Sequence, residues 1–346
     1  MSITPAPRPG AATRGSHLLQ HFGPGLLVCA LATAVAMTLS HLLPGVSALI
    51  IAIVLGIATT NLLRLPERTA PGITFAAKKL LRLGIVFLGL QLVIGDIVSL
   101  GAPMLLVIVC IVAGGIFGTL LMGRLMKMRP GQVLLIACGF SICGAAAVAG
   151  VEGVADSDEE DVVTAVALVV IFGTLMIPLV PLVGGALGLD AEMNGLWAGG
   201  SIHEIAQVVA AGGIIGGGAL AVAVIVKLAR VLLLAPVVAV LSVIQRRKGN
   251  GAAADGKRPP IVPLFIIGFL AMIALRSTLD LPGGVLEAGK FVQTALLAAA
   301  MFGLGCGVKI RNLVRVGLRP FVLAAASTVL VSCIALGGIL LVHLGS

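Results

Sequence analysis

Three polar side chains lie close together in an otherwise apolar stretch of this 346-residue chain, WAGGSIHEIAQVVAAGG at 197–213. His203, Glu204 and Gln207 are spaced i, i+1 and i+4, which on a helix places them within an arc of about 100°. A charged group at the centre of a bilayer costs at least ~2.5–3.5 kcal/mol, so such groups usually face a cavity and mark an ion or proton path. The pattern predicts an ion-coupling face, with a structural polar contact between two helices as the alternative.

A metal centre is not expected at this face. The HEIAQ string lacks the second histidine of the zinc motif HExxH. An intramembrane enzyme with His203 and Glu204 as base and acid would need a nucleophile nearby, for which Ser201 and Cys143 are the visible candidates. The six cysteines lie in apolar segments without a CxxC pair, as small buried hydrophobic residues do. We therefore expect no enzyme, no metal and no cofactor.

A second segment, CGFSICGAAAVAGVEGV at 138–154, is rich in glycine and small residues and interrupts an apolar run. Such residues allow close helix packing, and they can also unwind a helix at a depth where free backbone groups must line a cavity. The N-terminal ends of half-helices attract anions. The sequence therefore predicts substrate binding at the two broken segments and a further ion-coupling carboxylate at Glu152. The predicted substrate ligands are Ser141, Cys143, Gly144, Gly200 and Ser201.

Two basic residues, Lys227 and Arg230 in VKLARV, fall near the middle of an apolar run. Lysine suits a tetrahedral oxyanion as a point charge and arginine as a bidentate fork. We predict that they bind an anionic substrate or pair with Glu204 or Glu152; snorkelling of their long side chains is the alternative. The acidic string DSDEED at 156–161 is interpreted as a solvated face, with a calcium site as the alternative.

The composition shows what surrounds these residues. The chain is 59% hydrophobic and 11% charged, with mean hydropathy +1.18, whereas a soluble domain carries about 25% charged residues. Long apolar runs without alternation predict membrane-spanning helices. The net charge of +9 is attributed to basic cytoplasmic loops and not to nucleic-acid binding.

The hydropathy pattern predicts an all-α polytopic membrane protein of about eleven spans. Residues 1–346 form one integral membrane domain, with a cytoplasmic tail at 1–22, a retained first helix and a cytoplasmic loop at 245–260. The predicted spans are 24–42, 46–63, 80–99, 103–125, 131–153, 161–183, 193–213, 219–243, 261–279, 291–308 and 319–343.

Charge predicts the orientation of these spans. With the N-terminus in the cytoplasm, four of the five predicted inner loops are basic, and the loop between the sixth and seventh spans has no base. An odd number of spans places the C-terminus in the periplasm. The segments 87–115 and 301–338 share a Gly-Leu helix, an amphipathic connector, a proline and a helix ending in Gly-Gly. Because they would run in opposite directions, they predict an inverted repeat; chance likeness between Gly/Leu-rich helices is the alternative.

The strings GFSICGAAAVAGVEGV, LWAGGSIHEIAQVVAAGG and VKLARVLLLAPVV closely resemble the YeiH family of bacterial inner-membrane proteins, also called a sulfate exporter family. The resemblance covers the chain from about residue 22. It implies a polytopic inner-membrane protein and a secondary transporter of sulfate or a related sulfur oxyanion.

A more distant resemblance is to the bile acid–sodium symporter superfamily, in which a Gly-Leu helix and a Pro-led helix precede a broken crossing helix. Residues 87–126 followed by 131–153 have this order, whereas in the second half the matching helices come last. The predicted fifth and seventh spans also run in the same direction, whereas a crossing pair should run oppositely. Whether 138–154 and 199–213 form a crossing pair is therefore open.

These observations predict a secondary transporter that exports sulfate or sulfite across the inner membrane. Half-helix ends near Ser141–Ala145 and Gly199–Ser201 would hold the anion, and Lys227 or Arg230 would neutralise it. Protons or Na⁺ are the candidate coupling ions, since the chain lacks the GxxxxGK[ST] motif of ATP-driven motors. A cation–proton antiporter, with Glu152, Glu204 and His203 as carriers, is the alternative. The expected partners are the anion and the bilayer, and a homodimer is left open.

Overall fold

A computed structural model describes residues 11–43, 48–63, 65–247, 264–307 and 317–344. Every regular element in these ranges is helical, which confirms the all-α prediction. Residues 1–10 of the predicted tail and 248–260 of the predicted loop lie outside the described residues, and the remainder of the tail, from Ala11, is helical. Six helices are long and apolar enough to cross a membrane: Gln20–Leu42, Gly101–Leu125, Glu160–Ala186, Ala219–Gln245, Gly283–Gly307 and Leu318–Leu344.

Sixteen α-helices follow one another along the described residues. They are α1 (Ala11–Leu42), α2 (Ala48–Leu62), α3 (Ala70–Phe75), α4 (Leu81–Leu88), α5 (Ile94–Ser99), α6 (Gly101–Leu125), α7 (Pro130–Ser141), α8 (Ala145–Val151), α9 (Glu159–Ala186), α10 (Ala191–Ser201), α11 (Ile205–Ile215), α12 (Ala219–Leu232), α13 (Leu234–Arg247), α14 (Leu264–Thr278), α15 (Gly283–Gly307) and α16 (Leu318–Leu344). A π-helical turn, Ala76–Leu80, joins α3 to α4.

The helices pack in two groups. The first group contains α1–α4, α14 and α15, and the second contains α6–α12 and α16. Within the first group, α2 and α15 approach so closely that a Cβ atom added to Gly56 would lie 2.3 Å from the carbonyl oxygen of Phe302. Small residues at a helix interface permit this distance. Contacts between the two groups are sparse in comparison, so cavities can form between them.

The first broken segment is a hairpin and does not cross the fold. Helix α7 runs inward, the chain unwinds at Ile142–Gly144, and α8 runs back. At the base, Arg129 donates hydrogen bonds to Asp158 (2.6 Å) and to Asp161. The backbone of Asp156 lies against Gly131, where an added Cβ would be 1.8 Å from the Asp156 carbonyl oxygen. The predicted span 131–153 is therefore wrong, because both ends of this segment lie together. We call residues 130–151 hairpin 1.

The second broken segment, residues 191–215, is a hairpin as well. Helix α10 runs inward and α11 runs back, after a break at Ile202–Glu204. A Cβ added to Gly217, just beyond α11, would lie 2.8 Å from Ala191 at the start of α10. The predicted span 193–213 is thus also wrong. Both misassignments have the same cause, since two short apolar helices joined by small residues have the hydropathy of one full span. We call this segment hairpin 2.

Helix α9 separates the bases of the two hairpins. Asp158, at the base of hairpin 1, caps the N-terminus of α9. Gly184, near the other end of α9, contacts Asn194 of hairpin 2, with an added Cβ 2.3 Å from its side-chain oxygen. Because α9 has 28 residues and rises about 1.5 Å per residue, the bases lie about 42 Å apart. The hairpins therefore enter from opposite ends of the fold, and their tips meet between those ends.

This arrangement removes two of the eleven predicted crossings and explains the one inner loop that lacked a base. The loop between α9 and α10 now falls on the side opposite to the basic loops. The acidic string at 156–161 falls on the basic side, where Asp158 and Asp161 pair with Arg129.

Labelling of single cysteines tests whether both ends of hairpin 1 lie on the same side of the membrane. In a variant whose native cysteines are replaced, we expect Arg124→Cys and Asp156→Cys to react with a membrane-impermeant maleimide from the same side of sealed vesicles. Leu187→Cys should react only from the other side. Labelling of Arg124→Cys and Asp156→Cys from opposite sides would instead show that 131–153 crosses the membrane.

Candidate functional site

The hairpin tips bring two helix C-termini together. Helix α7 ends in the carbonyl groups of Phe140, Ser141 and Ile142, and α10 ends in those of Gly199, Gly200 and Ile202. The last carbonyls of a helix have no partner within it and carry roughly half a negative charge in total. Two such ends buried side by side need cations or other donors. We call the region formed by 140–145 and 199–205 the crossing.

Arg230 of α12 supplies most of these donors. Its Nη1 donates to the carbonyl oxygens of Gly199 (3.0 Å), Gly200 (2.7 Å) and Ile202 (3.1 Å). Its Nη2 and Nε donate to the carbonyls of Phe140 and Ser141, at 2.9–3.2 Å. A guanidinium has five N–H groups, so these six contacts use all of them. Arg230 is fully buried and binds both hairpins at once.

Lys227 lies three residues earlier on α12 and completes the same contact. Its ammonium donates to Ile142 of hairpin 1 and to Ile202 of hairpin 2, both at 2.9 Å. The i, i+3 spacing places Lys227 and Arg230 on one face of the helix. An ammonium has three N–H groups, so one N–H of Lys227 has no hydrogen-bond acceptor among the described residues. Lys227 is fully buried as well.

Glu204 lies at the opposite, amide-bearing ends of the half-helices. It is the N-cap residue of α11, where it forms a capping box with Gln207, and its backbone N–H donates to the Gln207 side chain at 3.1 Å. Its carboxylate also accepts the N–H of Ala145, the first residue of α8, at 3.2 Å. One carboxylate thus joins the two hairpin tips, and it is 7% exposed.

Gly144 makes this approach of Glu204 possible. Its φ of +77° belongs to a region that residues with a side chain avoid. A Cβ at this position would lie 2.5 Å from Cγ of Glu204 and 3.0 Å from Val169. The break in hairpin 1 therefore requires glycine for both its conformation and its packing.

His203 lies on the other side of the crossing from Glu204 and lines neither of the cavities described below. The predicted single helical face of His203, Glu204 and Gln207 is therefore wrong, because the helix is broken at Ile202–Glu204. Its Nδ1 is 3.3 Å from the carbonyl oxygen of Phe140, and its Nε2 is 3.0 Å from the hydroxyl of Thr328 on α16. The ring also packs on that of Phe140, with centroids 4.4 Å apart. The Thr328 hydroxyl donates its single proton to the carbonyl oxygen of Ala324 at 2.9 Å, so toward His203 Nε2 the Thr328 oxygen is the acceptor. His203 therefore connects both hairpins to α16.

The remaining polar side chains are buried against small residues. The hydroxyl of Ser201 donates to the carbonyl of Trp197 at 2.6 Å. Among the described residues, the Ser141 hydroxyl and the Gln207 amide nitrogen have no hydrogen-bond partner. Gln207 lies against Gly173 of α9, where an added Cβ would be 2.0 Å from its side-chain oxygen.

Two cavities approach the crossing from opposite ends of the fold. Cavity I has a volume of about 600 Å³ and extends from Thr60 and Gly307 to Ala145 at the tip of hairpin 1. Cavity II has a volume of about 860 Å³ and extends from Leu49 and Lys290 to the residues Cys143, Ala146, Glu204 and Ile205. Leu49 and Thr60 lie at opposite ends of α2, so the cavities open at opposite ends of the first helix group. Leu81 lines both cavities.

Nearly all of the predicted site residues meet at the crossing. The structure brings together Ser141, Cys143, Gly144, Gly200, Ser201, His203, Glu204, Gln207, Lys227 and Arg230. Glu152 is apart from them, at the far end of α8, where it lines cavity I and pairs with Lys78 at 3.5 Å. Thr328 was not predicted, because a single threonine in an apolar helix carries no sequence signal. Ala145 lies within the predicted half-helix end 141–145, but the contact of its amide with Glu204 was not predicted.

The structure also gives the polarity of the half-helix ends. The sequence placed an anion near Ser141–Ala145 and Gly199–Ser201. Gly199–Ser201 is the carbonyl end of α10, and the amide ends begin at Ala145 and Ile205. The difference arises because the break falls at Ile202–Glu204, after the glycine pair and not at it. The substrate-binding and ion-coupling roles of the individual residues stay predictions.

Comparison with known proteins places this architecture among membrane proteins. The family model described as "Conserved hypothetical protein 698" matches residues 24–324. The chain is 71% identical over 328 residues to a UPF0324 membrane protein of Corynebacterium glutamicum, covering 95% of each chain. It is 39% identical over 340 residues to one of Pseudomonas aeruginosa, covering 94% of this chain and 95% of the relative. It is 36% identical over 326 residues to the UPF0324 membrane protein TauZ of Paracoccus pantotrophus, covering 93% and 96%.

A side chain at Gly144 tests the packing at the crossing. We expect Gly144→Ala to destabilise the protein by about 2 kcal/mol or more, because a sparsely populated backbone conformation with positive φ costs an alanine ~1–3 kcal/mol and the added methyl group also collides with Glu204. The measurement is the thermal unfolding midpoint in detergent. Gly153→Ala is the matched control, since an added Cβ there has no heavy atom within 4 Å. Equal midpoints for the two variants would contradict this packing.

Removal of Arg230 tests its contact with both hairpins. We expect Arg230→Met to cost at least about 3 kcal/mol, because it leaves buried carbonyl groups without donors. Arg230→Lys should recover only part of this loss, since an ammonium has three donors and cannot span both helix ends. The readout is the unfolding midpoint, with Arg319→Met at an exposed position as the control. A melt of Arg230→Met that matches wild type would show that the carbonyl ends do not depend on it.

Proposed function

The chain belongs to the UPF0324 family of membrane proteins, which is the YeiH family, and from this premise we propose that it is a secondary transporter that exports a small inorganic oxyanion, sulfate or sulfite. The proposed location is the bacterial inner membrane, with the N-terminus in the cytoplasm and the C-terminus in the periplasm.

One observation carries this proposal: two cavities from opposite ends of the fold reach the same buried polar crossing. A transporter of this kind needs a central site that solvent can reach from either side in turn. Cavity I reaches Ala145 and cavity II reaches Cys143 and Glu204, so both touch the hairpin tips, and Leu81 lines both. Both cavities lie between the two helix groups, and a small relative movement of the groups would open or close either one.

The charge at the crossing favours an anion as substrate. Lys227 and Arg230 bring two formal positive charges and Glu204 brings one negative charge, and all three are at least nine-tenths buried. The carbonyl ends of α7 and α10 are already bound by the two basic residues. What faces cavity II is the beginning of α11, whose first amide groups have no carbonyl partner inside the helix. An oxyanion offers the acceptors that these groups lack.

The packing supports an inverted repeat as part of the same proposal. Helix α4 packs on α15 and α6 packs on α16, as expected if 87–115 and 301–338 are paired repeat segments. The two hairpins, which enter from opposite ends, would then occupy related positions in the two halves. The connector at 308–316 lies outside the described residues, and α15 and α16 lie on either side of it.

The proposed energy source is an ion gradient or the gradient of the substrate. An inside-negative potential of 100 mV favours the exit of each negative charge by ~2.3 kcal/mol. Protons or Na⁺ remain the proposed coupling ions.

A cation–proton antiporter is the second candidate, because Glu204 is a buried carboxylate that lines a cavity. Such a carrier would bind its cation at Glu204, with Lys227 and Arg230 as structural residues. Against it, those two residues leave an excess of positive charge beside Glu204, which disfavours a second cation.

Flux through reconstituted protein separates these candidates. We expect saturable uptake of ³⁵S-sulfate or ³⁵S-sulfite into proteoliposomes, faster when the lumen is made positive. Lys227→Gln should reduce the rate by tenfold or more, whereas Lys79→Gln, at an exposed position, should not change it. Both variants are first checked for a monodisperse elution profile.

A pH-sensitive dye in the same vesicles tests the cation–proton antiporter, because it follows the pH gradient across the membrane. Absence of flux for both anions, together with dissipation of a pH gradient on addition of Na⁺ or K⁺, would replace the exporter by the antiporter.

A further inference from the structure

We propose that Glu204 is a built-in competitor of the transported anion: its carboxylate occupies the place of the substrate oxygens, and the anion binds when Glu204 takes up a proton and gives up that place. This inference rests on the proposed function, since it assumes that an oxyanion binds at the crossing.

The Glu204 carboxylate lies where the tips of the two hairpins meet. Glu204 caps the start of α11 in hairpin 2, and its oxygen also accepts the amide of Ala145 in hairpin 1 at 3.2 Å. A carboxylate and an inorganic oxyanion are alike in this respect, because both accept N–H donors through negatively charged oxygens. Glu204 therefore makes within the chain the contact that an oxyanion would make at the same place. Its edge is open to cavity II.

Few N–H groups at the crossing are free to bind a ligand. All N–H groups of Arg230 are used by backbone carbonyls, as are two of the three on Lys227. Among the described residues, the donors left at the crossing are the third N–H of Lys227, which lines neither cavity, and the first amides of α11 at Ile205 and Ala206. Ile205 and Ala206 are residues of the wall of cavity II. The Ala145 amide becomes free only when Glu204 leaves it. An anion arriving through cavity II therefore meets Glu204 at the donors that it needs.

The formal charge at the crossing depends on whether Glu204 is protonated. With Glu204 ionised, the formal charges of Glu204, Lys227 and Arg230 sum to one positive charge, and with Glu204 protonated they sum to two. The second value is equal and opposite to the charge of sulfate. Protonation thus removes the competitor and at the same time leaves two positive charges for a divalent anion.

The other titratable groups near Glu204 are less suited to this role. His203, on the same hairpin, is fully buried and has both ring nitrogens in contact with Phe140 and Thr328. Cys143 on hairpin 1 lines cavity II but brings a thiol and no carboxylate. Lys290 lies at the distant end of cavity II.

On the opposite side of the crossing, Glu152 and Lys78 pair with each other in cavity I. Glu204 is therefore the one carboxylate that the described residues place both at the crossing and on the wall of cavity II.

Proton uptake on binding tests the proposal in the unmodified protein. Sulfate is titrated into detergent-solubilised full-length protein by calorimetry in two buffers of different ionisation enthalpy. At a pH where Glu204 is ionised in the free protein, we expect about one proton taken up per sulfate bound. We also expect the affinity to fall by up to tenfold per pH unit in the range where Glu204 is ionised, because a single linked proton produces this slope. Measurable sulfate binding with zero proton uptake and no pH slope across the whole accessible pH range would overturn the inference.

Two variants test whether the proton taken up on sulfate binding goes to Glu204. Glu204→Gln keeps an oxygen acceptor and removes the charge, so sulfate should bind with no pH slope and, at the alkaline end, at least tenfold more tightly than to wild type. Glu287→Gln, the same change at an exposed position of α15, should retain the slope of wild type. A folded Glu204→Gln that keeps the slope, or that loses sulfate binding at every pH, would overturn the inference. If Glu204→Gln does not fold, the proton count of wild type still decides the question.

The outcomes also separate this inference from the proposed function. Binding without proton uptake leaves the exporter intact and removes only the competitor role of Glu204. No binding of sulfate or sulfite to wild type at any pH contradicts the anion site itself, and both proposals then fail together.

Discussion

The structure depends on the contact between two cations of α12 and the carbonyl ends of two half-helices. Hairpins that stop halfway through a membrane leave backbone carbonyls where no water reaches them, and such groups are costly unless something binds them. Arg230 and Lys227 bind both sets of carbonyls at once. The two tips are therefore held to the same helix and to each other. Without this contact, neither hairpin would have a stable end at this depth.

The same contact gives the crossing its chemical polarity. Because the carbonyl ends are turned toward α12 and bound there, the amide ends of α8 and α11 are turned toward the cavities. The chain places Glu204 at those amide ends, so each end of a half-helix is matched by a side chain of opposite charge. The cations are saturated or nearly so and lie away from the cavities, while the carboxylate is open to one of them. An external anion can therefore replace the Glu204 carboxylate at the amide ends more easily than it can displace the carbonyl groups bound to Arg230.

Glycine residues allow the close packing at the crossing. Gly144 has a positive φ, and its missing side chain leaves room for Glu204 and Val169. Gly199 lets α10 approach α12, with an added Cβ 2.3 Å from the carbonyl oxygen of Ala223. The second helix group is therefore packed tightly around the crossing. The cavities lie instead along its boundary with the first group, where contacts are fewer. A rigid site beside a looser boundary is a suitable arrangement for alternating access.

The sequence by itself determined the membrane setting, the helical class, the two broken segments and almost every residue of the crossing. It could do so because a charge or a glycine cluster in an apolar run is costly, and such residues are therefore conspicuous. Only the tertiary structure decided that 131–153 and 193–213 turn back, since hydropathy does not record the direction of the chain after a break. It also decided that Lys227 and Arg230 bind backbone carbonyls and that Glu152 lies apart, because side chains distant in sequence meet only when the hairpins and α12 are in place. The contacts of Thr328 with His203 and of the Ala145 amide with Glu204 were not predicted for the same reason.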